Sequence, residues 1–164
     1  MRELPHTRSC FVCGESNPSG LRLRFETDGG VVQTRFCPRP DHSGFQNVMH
    51  GGLIATVLDE VMVWACAVGT GRFAFCAEFT VRFLKPVRPE EPLVATGELT
   101  TNRKQKIFEA QATLRNAAGE ILATATGKYL PLKGPDSAKM LADVVGDASW
   151  LLGASGAGQP RPQA

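Results

Sequence analysis

The sequence has no excess of charge of either sign and few aromatic side chains. Its 164 residues carry 18 Lys and Arg against 16 Asp and Glu, and aromatic residues make up 7%. Proteins that bind nucleic acids or anionic membranes use clustered positive charge, so the net charge of +2 argues against both classes. Hydrophobic residues account for 43%, enough for a packed core and too many for an intrinsically disordered chain. By length we expect one domain.

The sequence also lacks a recognisable targeting segment. The start, MRELPHTRSC, contains no apolar run of the kind found in a signal peptide. The most apolar window, residues 51–69, has Asp59 and Glu60 at its middle, where a charge within a membrane is costly. We therefore expect a soluble, cytoplasmic protein whose five cysteines stay reduced.

Motifs that identify several enzyme classes are missing. There is no Gly-rich phosphate loop and no G-x-S-x-G elbow, which excludes P-loop, dinucleotide-binding and α/β serine hydrolase classes. Cys10 and Cys13 form one C-x-x-C, half of a zinc site, and no second such motif follows. His6, His42 and Cys37 are the residues left to complete one. We favour a packed or turn-forming cysteine pair and expect no metal and no redox cofactor.

The spacing of apolar residues predicts an α+β domain. Residues 20–26 alternate as a half-buried strand, a TDGG turn leads to a partner strand at 31–37, and residues 38–49 are a loop. Residues 51–68 carry apolar side chains at every third or fourth position, which predicts a helix of about five turns. Four further strands are predicted, at residues 73–84, 91–100, 106–116 and 120–130.

One helix cannot cover both faces of six strands. The economical arrangement is a curved antiparallel sheet of about six strands wrapped round the single long helix. We predict an irregular N-terminal segment at 1–19, this domain at 20–132, and a C-terminal extension at 133–164. The extension is expected to contain a short helix within 138–152 and a flexible tail over the last dozen residues.

The stretch NVMHGGLIATVLDEV, residues 47–61, places two glycines at the helix start. A helix N-terminus has free N–H groups and a partial positive charge, and glycine lets a ligand touch the backbone. An oxygen that gains negative charge in a reaction would be stabilised there. The alternative is that Gly51 and Gly52 only permit close packing or a tight turn.

The same stretch carries two acids. Asp59 lies next to a face of small residues and is a plausible base or nucleophile, or else it faces solvent or a partner inside a dimer seam. It is roughly 12 Å along the helix from Gly51, so both can act on one small group only if two protomers share a site. Glu60 is turned about 100° away and is expected to be solvated or salt-bridged.

Three segments resemble a known family. MHGGLIATVLDEV is similar to the HGG-x₆-D/E signature of hotdog-fold thioesterases, in the branch of phenylacetate-pathway acyl-CoA thioesterases. CFVCGESNPSGLRLRF at 10–25 and FTVRFLKPV at 79–87 resemble segments common in that branch. The resemblance covers roughly residues 10–132, and it implies the hotdog fold, which matches the arrangement predicted above.

The resemblance implies roles for individual residues. The backbone N–H of Gly51 would polarise a thioester carbonyl, and Asp59 would activate water or attack the acyl carbon. His50 would help position the thioester, although a local hydrogen bond that fixes the loop before the helix is an alternative. The predicted catalytic set is therefore Asp59, Gly51 and His50. The predicted substrate-binding set is Gly52, Asn47, Cys76, Thr80, Arg82 and Arg88, with the two arginines near the coenzyme A phosphates.

Two positions depart from the family pattern. Some relatives carry Asn where this chain has Gly44, and Asn47 is the nearest substitute. Many relatives carry Ser or Thr where this chain has Cys76, a poorer hydrogen-bonding residue. Thr80 is expected to share a face with Cys76. These changes bear on efficiency and substrate choice more than on reaction class.

The sequence therefore predicts an acyl-CoA thioesterase that forms a homodimer or tetramer with active sites at the dimer interface. Coenzyme A would arrive as part of the substrate, with no cofactor. The first alternative is a non-catalytic acyl-CoA-binding protein of the same fold, against which Asp59 argues. The second alternative is a hydratase or dehydratase, which the hotdog fold also hosts. The helix motif that such enzymes resemble has an Asp and a His four to five residues apart, whereas the only histidine in residues 50–69 is His50. A metal-binding adaptor built on Cys10 and Cys13 is the third alternative.

Overall fold

The structure is a computed structural model that describes residues 1–152. Eleven strands and three α-helices lie within this range, together with a 3-10 turn at Pro40–His42. The flexible tail predicted for the last dozen residues, 153–164, lies outside the described residues. The strands are β1 (Arg2–Glu3), β2 (His6–Thr7), β3 (Glu26–Thr27), β4 (Val31–Phe36), β5 (Ser43–Phe45), β6 (Val48–Met49), β7 (Ala74–Phe83), β8 (Leu93–Arg103), β9 (Ile107–Asn116), β10 (Ile121–Pro131) and β11 (Val144–Val145). The helices are α1 (Gly51–Thr70), α2 (Gly134–Ala142) and α3 (Ser149–Leu152).

The main sheet has seven strands in the order β1-β3-β4-β8-β9-β10-β7, and every neighbouring pair is antiparallel. Helix α1 contacts β4, β7, β8, β9 and β10, so the sheet wraps round it. Two-stranded sheets form between β5 and β6 and between β2 and β11. The predicted α+β arrangement of one long helix in an antiparallel sheet is confirmed. Strand β7 is left at one edge of the main sheet.

Helix α1 supplies much of the core. Its predicted range of residues 51–68 agrees with the observed helix, which ends where Gly71 adopts a left-handed φ of 70°. Each fully buried aliphatic side chain adds about 1.5–3 kcal/mol relative to exposure. The buried residues of α1 are Ile54, Val57, Leu58, Val61, Met62, Trp64, Ala65, Cys66 and Ala67.

Helix α1 packs directly against the backbone of Gly97 in β8. A Cβ atom at Gly97 would lie 2.8 Å from the carbonyl oxygen of Val61, which is far too close. Glycine is therefore required at this strand position, because only a residue without a side chain lets the helix backbone approach so closely. The contact is two residues beyond Asp59 and fixes the depth of that part of the helix.

Helix α1 is also the helix of the described residues that has the length and apolar composition of a membrane span. Half of its apolar window is buried inside the fold. The core helix of a soluble protein has the same length and composition, so this similarity is weak evidence for a membrane span.

The predicted strand at residues 20–26 is largely wrong, because only its last residue lies in a strand, β3. Leu21 and Leu23 instead donate their backbone N–H groups to the carbonyl oxygens of Phe11 and Val12, at 2.8 and 2.9 Å. The N-terminal segment thus accepts the backbone hydrogen bonds that a neighbouring strand would otherwise accept.

Both ends of the described range, residues 1–152, contain more regular structure than predicted. Residues 1–19 were expected to be irregular, yet β1 extends the main sheet and Leu4 and Cys13 are buried. The predicted loop at 38–49 contains the β5–β6 hairpin. The single short helix predicted within 138–152 is instead two helices, α2 and α3, separated by β11, which pairs with β2. Gly146, with a left-handed φ of 102°, accompanies that interruption.

Candidate active site

The first turn of α1 has one free backbone donor. The Nδ1 atom of His50 accepts a hydrogen bond from the N–H of Gly52 at 2.9 Å and so caps the helix. The N–H groups of Leu53 and Ile54 both point to the carbonyl oxygen of His50. Within residues 1–152, the N–H of Gly51 has no such acceptor. Of the two glycines, only Gly51 therefore offers an unused N–H.

Gly51 lines a largely apolar pocket of about 360 Å³. The ring of Phe83 forms one wall, and a Cβ atom at Gly51 would lie 3.4 Å from it. Acyl groups prefer an apolar environment of this kind, with a few polar groups to fix orientation. The lining residues are Gly44, Phe45, Val48, Met49, His50, Gly51, Ile54, Phe83, Leu84, Lys85, Pro86 and Val87.

Asp59 lies further along α1 and is held by a tyrosine. The hydroxyl of Tyr129 on β10 donates to Oδ1 of Asp59 at 2.9 Å. Tyr129 is completely buried, and burial followed by the Asp59 charge raises the pKa of its hydroxyl far above the usual range. The phenol therefore stays protonated and remains a donor. A fixed donor leaves the second carboxylate oxygen of Asp59 to act on a ligand.

Two cysteine thiols surround the same carboxylate. Burial, with a smaller contribution from the Asp59 charge, raises the pKa of Cys66 to about 12 and that of Cys76 to about 11. Both thiols are therefore protonated at neutral pH and are poor nucleophiles. Asp59 is the remaining acidic side chain of this group.

A glycine makes room for Tyr129. A Cβ atom at Gly127, two residues earlier on β10, would lie 2.8 Å from the Tyr129 ring and 3.0 Å from its hydroxyl oxygen. It would also lie 3.1 Å from Cβ of Phe79 on the neighbouring strand. The phenol reaches Asp59 because this position has no side chain.

Gly51 and Asp59 do not share a site within one protomer. They are eight residues apart on one helix, a rise of roughly 12 Å. The pocket at Gly51 is not lined by Asp59. A site that takes Gly51 from one chain and Asp59 from another stays a prediction.

The remaining predicted residues near the helix start have local roles. Asn47 adopts a left-handed φ of 61° in the turn between β5 and β6, a conformation that asparagine tolerates. A Cβ atom at Gly44 would lie 3.0 Å from the His50 ring, so an asparagine there would displace the cap. For His50, the alternative of a local hydrogen bond before the helix is what the structure contains.

The expectation that Thr80 and Cys76 share a face is wrong. Cys76 pairs with Tyr129, but Glu78 pairs with Lys128, so Ala77 is an extra residue in a β-bulge. The bulge reverses the alternation, and Thr80 lies on the other side of β7, opposite Thr126. Cys76 faces α1 and Asp59, whereas Thr80 is exposed on the outer surface.

The two predicted phosphate-binding arginines are exposed. Arg82 is next to Phe83 near the end of β7, and Arg88 lines a shallow surface pocket together with Lys85. Within residues 1–152 neither arginine forms a salt bridge, whereas Lys85 is paired with Glu120. Both arginines lie at the end of the domain where α1 begins.

The prediction for Glu60 is wrong. Instead of facing solvent, its carboxylate points into a partly buried cluster with the thiols of Cys10 and Cys13 and the indole of Trp64. Burial, the largest cause, raises the pKa of Glu60 to about 8. The rotation of Glu60 away from Asp59 round the helix was predicted correctly. The covering of this face of α1 by the N-terminal segment was not predicted.

Tyr129 and Gly127 are the residues near Asp59 that the sequence analysis did not find. Tyr129 is the single tyrosine of the chain, and it stands at an inward position of a predicted strand. A buried tyrosine usually requires a hydrogen-bond partner. This requirement could have predicted that Tyr129 has a buried hydrogen-bond partner, although it does not identify Asp59 as that partner.

Comparison with known proteins gives one family match. The family model of the thioesterase superfamily matches residues 46–123. No curated protein matches the sequence. A solved thioesterase-superfamily protein is similar at 26% identity with a TM-score of 0.69, over 75% of this chain and 60% of that protein. The chain therefore spans less than two thirds of that relative.

Two other solved structures have the same fold. The E. coli PaaI protein, from the phenylacetic acid degradation operon, is 20% identical with a TM-score of 0.63, over 68% of this chain and 80% of PaaI. A Streptococcus mutans protein bound to acetyl-CoA is 18% identical with a TM-score of 0.62, over 67% of this chain and 88% of that protein.

Proposed function

We propose that this chain, which belongs to the thioesterase superfamily and has its hotdog fold, hydrolyses an acyl-CoA thioester to a free carboxylic acid and coenzyme A. The observation that carries the proposal is the free N–H of Gly51, a residue that lines an apolar pocket. A single donor of this type contributes about 2.7–4 kcal/mol to the stabilisation of an oxyanion in acyl-transfer enzymes. The acetyl-CoA bound by the S. mutans relative supports the substrate class.

The proposed site forms between two protomers. Gly51 of one protomer and Asp59 of its partner act on the same carbonyl, since the two groups lie roughly 12 Å apart within one chain. Strand β7 supports this assembly, because its outer edge pairs with no strand in residues 1–152 and exposes Phe75, Phe79 and Phe83. An exposed apolar edge strand is a ready surface for pairing with another chain.

Each group has a defined task in the hydrolysis. The Gly51 N–H donates to the thioester oxygen as negative charge develops on it, and the positive end of α1 adds to this effect. Asp59 either removes a proton from the attacking water or attacks the acyl carbon, and the coenzyme A thiolate leaves. His50 holds the helix start in place through its cap on Gly52. These steps need no metal or redox cofactor.

The proposal extends to the ends of the substrate. The acyl group occupies the pocket beside Phe83, and the exposed Arg82 and Arg88 hold the phosphates of coenzyme A. Asn47, Gly52, Cys76 and Thr80 stay predictions as substrate contacts, and Thr80 would reach the substrate only from the outer side of β7. We also propose a cytoplasmic location, where the five free cysteines would stay reduced.

A panel of acyl-CoA substrates tests the function. Free coenzyme A is detected with a thiol dye, and kcat/KM is measured for short, medium, long and aromatic acyl groups. Asp59→Asn is the matched control, because it keeps an acceptor for Tyr129 but removes the base. We expect turnover by the natural chain and a loss of about 10²–10⁴-fold in kcat for the variant.

Two other outcomes would contradict the proposal. Tight binding of acyl-CoA with no turnover by the natural chain would instead identify a non-catalytic acyl-CoA-binding protein. Undiminished turnover by Asp59→Asn would remove Asp59 from the mechanism. The unfolding temperature and the coenzyme A affinity of the variant are measured alongside, and we expect both to equal those of the natural chain.

A further inference from the structure

We propose that Cys10, Cys13 and Glu60 form a binding site for Zn²⁺, with two sulfurs and one carboxylate oxygen as ligands and a fourth position open to a pocket. The site is separate from the proposed thioesterase site, since Glu60 lies on a different face of α1 from Asp59. It does not depend on the proposed hydrolysis. It departs from the sequence-based expectation that the chain binds no metal.

The two distances between oxygen and sulfur ligand atoms are close to those of a tetrahedral zinc site. The Oε1 atom of Glu60 lies 3.4 Å from Sγ of Cys13 and 3.7 Å from Sγ of Cys10. Zinc–sulfur bonds of about 2.3 Å and zinc–oxygen bonds of about 2.0 Å place a sulfur and an oxygen about 3.5 Å apart in a tetrahedron. All three ligand atoms lie within 4.8 Å of one another. The side chains are thus already placed for an ion.

Backbone groups prepare the two sulfurs for a metal. The N–H of Val12 donates to Sγ of Cys10 at 3.2 Å, and the N–H of Thr7 donates to Sγ of Cys13 at 3.4 Å. Such bonds favour the thiolate, which is the form that binds zinc. The turn is tight: a Cβ atom at Gly14 would lie 2.3 Å from the carbonyl oxygen of Cys10. Glycine at position 14 is therefore required for this conformation.

The Glu60 carboxylate is hydrogen-bonded as a metal ligand would be, and it has no cationic partner among residues 1–152. The indole Nε1 of Trp64 donates to Oε1 at 3.2 Å, which leaves the other lone pair of that oxygen directed to the thiols. No Lys, Arg or His among residues 1–152 forms a salt bridge with Glu60. A carboxylate withdrawn from water is costly unless it is paired or binds a metal. A divalent cation at this point removes that cost.

A pocket of about 440 Å³ opens onto the cluster and supplies the fourth position. Cys10 and Glu60 line it, together with Ser9 and Asp143, so a water molecule there has polar neighbours. Zinc sites with three protein ligands keep a fourth position for water or another small ligand. The site is therefore open rather than closed by a fourth side chain.

The ion would join two distant parts of the chain. Cys10 and Cys13 belong to the N-terminal segment, whereas Glu60 belongs to the core helix and follows them by 50 and 47 residues. Metal binding to the folded chain stabilises it by mass action, since the unfolded chain does not hold the three ligands together. We expect zinc to raise the unfolding temperature.

Metal binding to the reduced, untagged full chain tests the site. Zinc content is measured by elemental analysis after dialysis, affinity is measured by competition with a chromophoric chelator, and Co²⁺ is used as a spectroscopic probe. We expect one metal ion per chain and a thiolate-to-cobalt charge-transfer absorption. Cys10→Ser, Cys13→Ser and Glu60→Gln should each weaken binding by more than about 10–100-fold, the loss typical of even an outer-sphere change. Cys37→Ser, at an exposed thiol, is the matched control and should bind normally.

Three results would overturn the proposal. The first is a reduced natural chain that binds neither zinc nor cobalt, which would leave two thiols hydrogen-bonded to a carboxylate. The second is a Cys10–Cys13 disulfide that forms in the purified chain and persists under cytosolic reducing conditions. The third is unchanged affinity in Glu60→Gln, which would remove the carboxylate from the site. The cobalt spectrum of the natural chain decides the matter even if a cysteine variant does not fold.

Discussion

The hydroxyl of Tyr129 donates a hydrogen bond of 2.9 Å to the Asp59 carboxylate. The donor lies near the C-terminal end of β10 and the acceptor lies on the core helix, so the bond joins the two layers of the fold. Because Tyr129 is buried and protonated, the bond fixes the direction of the carboxylate. Removal of the hydroxyl should therefore affect the chemistry more than the fold.

Tyr129→Phe should lower kcat by about 10- to 100-fold and leave KM nearly unchanged. A hydrogen bond to a charged group contributes about 1.5–3 kcal/mol, and its loss leaves Asp59 less well oriented. Steady-state kinetics on the best substrate of the panel measure the change. The double variant Tyr129→Phe with Asp59→Asn completes a double-mutant cycle. In the Asp59→Asn background, Tyr129→Phe should lower kcat only slightly further. Fully additive losses would show that Tyr129 acts independently of Asp59.

Gly127→Ala should reproduce the loss in kcat and should also destabilise the chain. The added methyl would overlap with the Tyr129 ring, and overpacking of a core costs about 1–3 kcal/mol. Chemical denaturation and kinetics measure the two effects. Gly30→Ala is the matched control, because a Cβ atom there meets only Asp28, at 3.7 Å. Normal kcat in Gly127→Ala would mean that the phenol does not need this space.

Gly51→Pro tests the backbone donor itself. Proline is favourable at the first position of a helix but has no N–H, and His50 already has the extended conformation that precedes proline. We expect kcat to fall by about 10²–10³-fold, as for the loss of one oxyanion donor. Gly51→Ala keeps the N–H and adds only a methyl 3.4 Å from Phe83, so it should retain far more activity. Equal losses in the two variants would point to a steric effect instead.

Mixed protomers test whether two chains share a site. Asp59→Asn and Gly51→Pro homodimers should both be nearly inactive. A mixed dimer has one site in which both groups are intact, so random exchange of equal amounts should restore about a quarter of the natural number of sites. Activity is followed after dissociation and reassociation of the mixture. If subunit exchange is demonstrated by mass spectrometry and no activity returns, the shared site is wrong.

The pH dependence of alkylation tests the environment of Cys76. Its pKa of about 11 leaves about one thiol in a thousand ionised at pH 8, and the ionised fraction grows as the pH rises. The rate of iodoacetamide modification, followed by peptide mass spectrometry, should therefore rise until near pH 11. Asp59→Asn removes a nearby negative charge and should shift this profile to lower pH. The exposed Cys37 is the internal reference. An identical profile in the variant would place Cys76 outside the influence of Asp59.

Local periodicity was sufficient to predict helix α1 and the five longest strands, β4, β7, β8, β9 and β10. The apolar spacing of residues 51–68 depends only on neighbours in the chain, and the same holds for the alternation in β8, β9 and β10. The free N–H of Gly51 could also be predicted, because every helix start has unpaired donors. The family resemblance assigned the donor to Gly51, and the structure gives the reason, since the His50 ring accepts the N–H of Gly52.

The errors in prediction arose from contacts between distant segments. The bulge at Ala77 depends on how β7 pairs with β10, and a shift of one residue moves Thr80 to the other side of the sheet. The environment of Glu60 depends on Cys10 and Cys13, which are nearly 50 residues away. Neither contact leaves a periodic signal in the sequence. Both required the three-dimensional arrangement.

The seat of α1 on Gly97 has a consequence for how this fold can vary. Substitutions of core side chains can tilt or shift most helices. Where α1 contacts Gly97 the contact is between backbone groups, so no side chain there can be replaced by a larger or smaller one. The separation of the two layers near Asp59 is therefore set by covalent geometry. Side chains that line the pocket beside Phe83 can be exchanged while the distance between Tyr129 and Asp59 stays the same.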